Sequence, residues 1–192
     1  MSQVIPLSSL KAGPAASFEQ PFEMLAACHE RVIRMLALLA RLREHLLQHR
    51  GRLQDDQADP ARQARQAAQD VMRYFDQAAP QHHRDEELHV FPALIAQGKP
   101  ATLALVSRLQ QDHLQMESRW VQARSVLAAI ANGQLTVLDA DHEAALDAFA
   151  SLYAGHIEAE ESIAYPAAQA LLDSAALATM GREMMHRRGV TD

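Results

Sequence analysis

Apolar residues recur at spacings of three and four along most of the chain, beginning with PFEMLAACHERVIRMLALLARLREHLLQH. That is the period of one buried face of an α-helix. Turn-forming residues interrupt the pattern. Pro21 suits the start of the first helix, because the N–H it lacks is one that a first turn leaves unpaired anyway. Gly51 and the polar stretch RLQDDQADP close that helix. Asp59-Pro60 places an N-cap before a proline at the first helical position, and opens a second helix running to about Gln97. Gly98, Lys99 and Pro100 turn the chain into a third helix over roughly 101–131, which stops at Asn132-Gly133. A fourth begins near Asp139 or Asp141 and runs to about Asp173, and SAALATMGREMMHRRG forms a shorter fifth. Nothing alternates as strands do. The pattern predicts an all-α fold: an up-down-up-down four-helix bundle over 21–188 with a short extra C-terminal helix, after a lead segment at 1–20.

Composition adds exclusions. The 192 residues suit one domain, and Ala, Leu, Gln, Arg and Glu, all strong helix formers, dominate. A formal charge of −6 gives no pull toward nucleic acid or an anionic membrane. No apolar run nears the ~18–20 residues of a membrane span. The lead segment has no basic start or apolar block of a signal peptide, and Cys28 is the single cysteine, so a cytoplasmic chain without an intrachain disulfide is expected. Ten histidines are many for this length. Their positions must decide what they do.

An internal repeat supplies the decision. HHRDEELHVFP at 82–92 and HIEAEESIAYP at 156–166 agree at an offset of 74. His82 corresponds to His156, Glu86 to Glu160, Glu87 to Glu161, Phe91 to Tyr165 and Pro92 to Pro166, while Phe75 corresponds to Phe149 upstream. Residues i and i+4 share a helix face with β-carbons roughly 6 Å apart, so a histidine and a glutamate at this spacing reach one small volume. The repeat selects His82 with Glu86 over His83 with Glu87, since the counterpart of His83 is Ile157. The other long helices each offer a well-placed histidine, His29 and His113. Counted from the turns at ~1.5 Å per residue, all six side chains fall at one depth.

Four imidazoles and two carboxylates exceed what one zinc takes, and suit two transition-metal ions with bridging glutamates. Such a site leaves open positions for a small molecule such as dioxygen, peroxide or nitric oxide. These motifs, in this order along four helices, resemble the hemerythrin-like, cation-binding (HHE) domain family over roughly residues 20–170. The resemblance implies a non-heme di-iron centre, oxo- or hydroxo-bridged, with metal ligands at His29, His82, Glu86, His113, His156 and Glu160. Other divalent transition metals suit the same donors. The chain departs from the oxygen-carrying members at Glu117, where those carry a further histidine one turn after the third-helix ligand.

The expected function is a di-iron protein that binds or senses a small diatomic ligand, dioxygen or nitric oxide, and handles iron. Its competitors are a di-iron enzyme or iron donor in nitrosative or oxidative stress and iron–sulfur cluster repair, and a metal-free helical interaction module. The expected partner is the diatomic ligand, with neither nucleic acid nor membrane, in a monomer or dimer. Glu87, Glu161 and His83 are read as surface or outer-layer residues, His89 as a donor behind the ligands or a core-edge residue, and Tyr153 as a candidate to face the cavity. His45, His49, His142 and His186 fit solvated or helix-end positions, and Met180, Met184 and Met185 fit packing. Pro92 and Pro166 should bend or end their helices.

Overall fold

The computed structural model describes residues 17–50, 53 and 59–190; most of the lead segment and of the turn expected at 51–60 lies outside them. All regular structure among the described residues is helical. Helix α1 spans Pro21–Gln48 and α2 spans Asp59–Asp85. A wide, π-helical turn (Glu86–Val90) leads into α3 (Phe91–Ala96). Helix α4 spans Pro100–Ala131. The segment expected as one fourth helix is divided into α5 (Ala140–Ala150), α6 (Tyr153–Ala159), a second wide turn (Glu160–Ala164) and α7 (Tyr165–Gln169). Helix α8 spans Ser174–Arg187. None of these helices is long and apolar enough to cross a membrane.

The turn chemistry works as expected. Gly98 and Gly133 take positive φ values of 66° and 72°, a conformation that costs other residues a steric clash. Asp139, rather than Asp141, caps α5, accepting from the His142 backbone N–H while the His142 side chain faces the Asp139 N–H. Asp173 caps α8 through the Ala176 N–H at 2.8 Å.

The two motif prolines do not end their helices. Pro92 has no N–H to give the carbonyl one turn back, and its ring would crowd that carbonyl. The ladder opens instead: the Phe91 N–H reaches the Glu86 carbonyl, five residues back, and the Tyr165 N–H does the same to Glu160. Helix then resumes as α3 and α7.

The described residues gather into two compact units. One comprises Arg31–Asp76 and Ser118–Ser151. Its core holds Leu39, Leu42, Val71, Leu127 and Leu146, with Phe75 and Phe149 edge to face at 4.9 Å. Trp120 packs on Phe149 and donates its indole N–H to Asp76, which also accepts from Arg124. The repeat thus extends beyond the metal motif, since Phe75 and Phe149 are equivalent residues in contact.

The other unit comprises the described residues up to Glu30, Gln77–Glu117 and the described residues from Leu152 onward. Phe22, Leu25, Val90, Phe91, Leu94, Leu109 and Tyr165 form its core, with Met180 and Met184 of α8. Helix α8 approaches closely enough at Gly181 that a β-carbon there would collide with the Phe18 carbonyl oxygen. Buried Asp85 holds the end of α8 by ion pairs to Arg187 (2.6 Å) and Arg188 (2.5 Å). All six candidate metal ligands belong to this unit.

Candidate metal centre

Each inward-facing glutamate sits where its helix meets the wide turn. His82, in the last turn of α2, precedes Glu86; His156, in α6, precedes Glu160. Helices α1 and α4 contribute His29 and His113. All six side chains are buried, with both glutamates at 0% exposure and His29 at 1%. Unpaired ionised groups at that depth would be costly.

The imidazoles form two pairs. His29 and His82 lie with ring centroids 4.7 Å apart, and His113 and His156 at 4.9 Å. The glutamates lie between the pairs and give one oxygen to each. Glu160 Oε2 is 3.1 Å from His29 Nε2, while its Oε1 is 3.0 Å from His156 Nε2 and 3.8 Å from His113 Nε2. Glu86 Oε1 is 3.4 Å from His82 Nε2, while its Oε2 is 3.4 Å from His113 Nε2. Two groups therefore offer ligand atoms within 4.8 Å of one another: His29, His82, Glu86 and Glu160; and Glu86, His113, His156 and Glu160.

The donor set fits metal ions better than it fits itself. Among the described residues, eight buried side-chain nitrogens and oxygens have no hydrogen-bond partner, and six are here: His82 Nδ1, Glu86 Oε2, His113 Nε2, His156 Nε2 and both oxygens of Glu160. Apart from His82 Nδ1, they approach other side chains of the set without hydrogen-bond geometry. Each buried polar atom left so costs about 1–3 kcal/mol, and coordination would satisfy several at once.

The charges agree. Burial, and then the negative charge of Glu160, push the Glu86 carboxyl up to about 7. Burial also pushes Glu160 upward, but contacts with His113, His156 and His29 outweigh it and hold this carboxylate well below the usual range. Burial works against a charge on His113, yet Glu160 and Glu86 carry its imidazole up to about 10. Burial, and then the neighbouring imidazole of His29, lower His82 well below 6.5. Without a metal, protons on His113 and Glu86 offset the buried negative charge, and a cation would take their place.

A second layer orients the imidazoles. Glu161 Oε1 lies 2.9 Å from His29 Nδ1, and Glu87 Oε1 lies 3.1 Å from His113 Nδ1. Gln110 holds Glu87 with a 2.8 Å hydrogen bond, and Asp112 stands 3.4 Å from His156 Nδ1. A carboxylate that binds the Nδ1 proton leaves Nε2 free to ligate and raises its basicity. The paired glutamates of the two copies thus divide their work: the first faces inward and the second reaches a histidine on a neighbouring helix.

Other residues take the following places around the site. The tyrosine hydroxyl seen at the site belongs to Tyr165: it donates to Glu86 Oε1 at 2.5 Å, lies 3.1 Å from His29 Nε2, and its ring stacks on His29. Tyr153 is buried. Glu117 is exposed and joins neither group. His89 meets Glu183 and Arg187 of α8 instead of the ligand set. His83, set aside because its counterpart is Ile157, lies against the site, its ring stacked on His113 at 4.0 Å. The signal that could have found it is its spacing of three from Glu86, the other interval that shares a helix face.

The model of the hemerythrin HHE cation binding domain matches residues 20–168. The chain belongs to this family. It is also 30% identical over 177 residues to an uncharacterized protein of Haemophilus influenzae (strain ATCC 51907 / DSM 11121 / KW20 / Rd), across 92% of this chain and 95% of that one. Cation binding is the family's property, and the buried histidine–glutamate layer is where this hemerythrin-like chain has the donors for it.

Proposed function

We propose that this hemerythrin-like protein holds two iron ions, one at His29 and His82 and the other at His113 and His156, with Glu86 and Glu160 shared between them. The observation that carries the reading is the division of each glutamate, one oxygen toward either histidine pair. When bound, the iron pair supplies open coordination positions for a small diatomic molecule, dioxygen or nitric oxide. The chain's own residues do the rest. Glu161 and Glu87 keep protons on the Nδ1 atoms of His29 and His113, so that their Nε2 lone pairs face inward. The Tyr165 hydroxyl holds Glu86 and offers a proton donor beside the His29 pair. Phe91 stacks on His113 and, with Val90 and Leu109, belongs to the buried apolar core of this unit. Binding or sensing of the diatomic ligand is the function favoured.

Iron analysis and optical spectra of the protein loaded anaerobically test this. Two irons per chain are expected, with a change in the reduced protein's spectrum on exposure to dioxygen or nitric oxide. A preparation that takes up no transition metal would sink the reading, and an iron-loaded protein indifferent to both gases would sink its sensing part.

A further inference from the structure

We propose that His83 is a fifth imidazole ligand, completing a three-histidine set with His113 and His156 for one of the two metals. This rests on the two-iron reading above. His83, His113 and His156 each offer a nitrogen within 4.8 Å of the others. The His83 ring is stacked on His113 at 4.0 Å and 12°, and its centroid is 6.2 Å from that of His156. These contacts place His83 beside two of the six candidate ligands.

Helix geometry explains how adjacent histidines serve different metals. Consecutive residues point about 100° apart around a helix. His82 takes the direction of His29, and His83 the direction of His113. Glu86 follows His82 by four and His83 by three, so it shares a face with both. The sequence HHRDE is then a fork: two imidazoles diverge to two metals, and the carboxylate between them reaches both.

The coordination count gives the fork a purpose. Without His83 each metal has two imidazoles and two shared carboxylate oxygens, and exposed Glu117 adds nothing to the His113 pair. His83, grouped with His113 and His156 and with neither glutamate, would bring that side to five protein ligands, one short of an octahedral set. Ile157, its counterpart in the other copy, offers no donor. The site therefore becomes unequal: three histidines on one metal, two on the other.

The test loads wild-type protein and the variants His83→Ala and His83→Phe anaerobically with ⁵⁷Fe(II), then measures iron per chain and the Mössbauer spectrum. Phenylalanine keeps the stacked ring and loses the nitrogen. Both variants should lose at least ten-fold in affinity for one of two irons and change one of two spectral components, and free imidazole should restore that iron in His83→Ala. A His83→Phe protein with two irons of unchanged affinity and spectrum overturns the assignment while leaving the two-iron reading intact. Wild-type protein that holds no iron overturns both. A crystal structure of the iron-loaded wild type provides the check that needs no variant. A His83 nitrogen at roughly 2.1 Å from one iron, the usual metal–imidazole reach, supports the proposal, and one beyond bonding distance refutes it.

Discussion

Removing Glu161 should weaken the hold on the metal bound by His29 although Glu161 touches no metal position itself. Its Oε1 lies 2.9 Å from His29 Nδ1, and its side chain is 47% exposed. Losing such a partner typically costs 10- to 100-fold in metal affinity. Exposure on this scale lets solvent screen the carboxylate's charge, which places the effect at the lower end. Glu161→Ala should therefore lose about ten-fold, about 1.4 kcal/mol. Glu161→Gln keeps an oxygen that can accept the Nδ1 proton and loses only the charge, so its loss should be smaller. Glu87, less exposed at 30% and held by Gln110, should give at least as large an effect at the other metal. Because the two carboxylates orient different histidines, the double alanine variant should show the sum of the two free energies to within about 0.5 kcal/mol. Anaerobic competition against a chromophoric iron(II) chelator measures this, with exposed Glu158→Ala as the control. An unchanged affinity in Glu161→Ala, or an equal loss in Glu158→Ala, would refute the orienting role.

Four further outcomes follow from the same geometry. Metal affinity should fall by at least ten-fold per pH unit below pH 7, because His113, at about 10, and Glu86, at about 7, must give up protons to ligate; titration with cobalt(II) at fixed ionic strength measures the slope. Above about pH 7, where the lowered His82 and Glu160 no longer titrate, the metal-free protein should show the opposite trend in thermal melts. Both groups have folded values raised above their unfolded ones, so their stabilising protons are fully present at acid pH and are lost as the pH rises through about 7 for Glu86 and about 10 for His113. Asp85→Asn leaves Arg187 and Arg188 without their buried partner and should cost about 3 kcal/mol, seen as a fall in Tm of roughly 6–12 °C. Gly181→Ala should lower Tm as well, because the collision with the Phe18 carbonyl, at about 1–3 kcal/mol, exceeds the roughly 1 kcal/mol that alanine adds in helix propensity.

The helix starts and the six-residue cluster were legible because local chemistry and the repeat both mark them. Gly98, Gly133 and Asp139 need only neighbouring residues to act, and they act as expected, while Asp59, expected as a cap, is the first residue of α2. The cluster was visible because His82–Glu86 and His156–Glu160 occur twice in register, and chance rarely duplicates a spacing, an aromatic and a proline together. What stayed hidden depends on how the backbone responds or on a single copy. Pro92 and Pro166 announce a broken ladder, but only the packing decides between a stop and a wide turn through which the helix continues. The division at 151–152 has no proline or glycine to mark it, and its residues keep right-handed helical angles. Buried Asp85 has Ala159 as its counterpart, so comparing the copies discards it.

The same limit explains why the two proposed metal positions need not be alike. What the copies share builds the ligand frame: an inward glutamate, a second glutamate 100° around the helix that reaches a neighbouring histidine, and a proline that opens the turn between them. What they do not share lies at the edges of that frame. The first copy has His83 against His113, where the second has Ile157. The second has the Tyr165 hydroxyl against Glu86 and His29, where the first has Phe91 stacked on His113. One side of the layer gains a nitrogen donor and the other a hydroxyl. A duplication alone would give two equal sites; these unshared residues, which the repeat could not reveal, give each histidine pair its own surroundings.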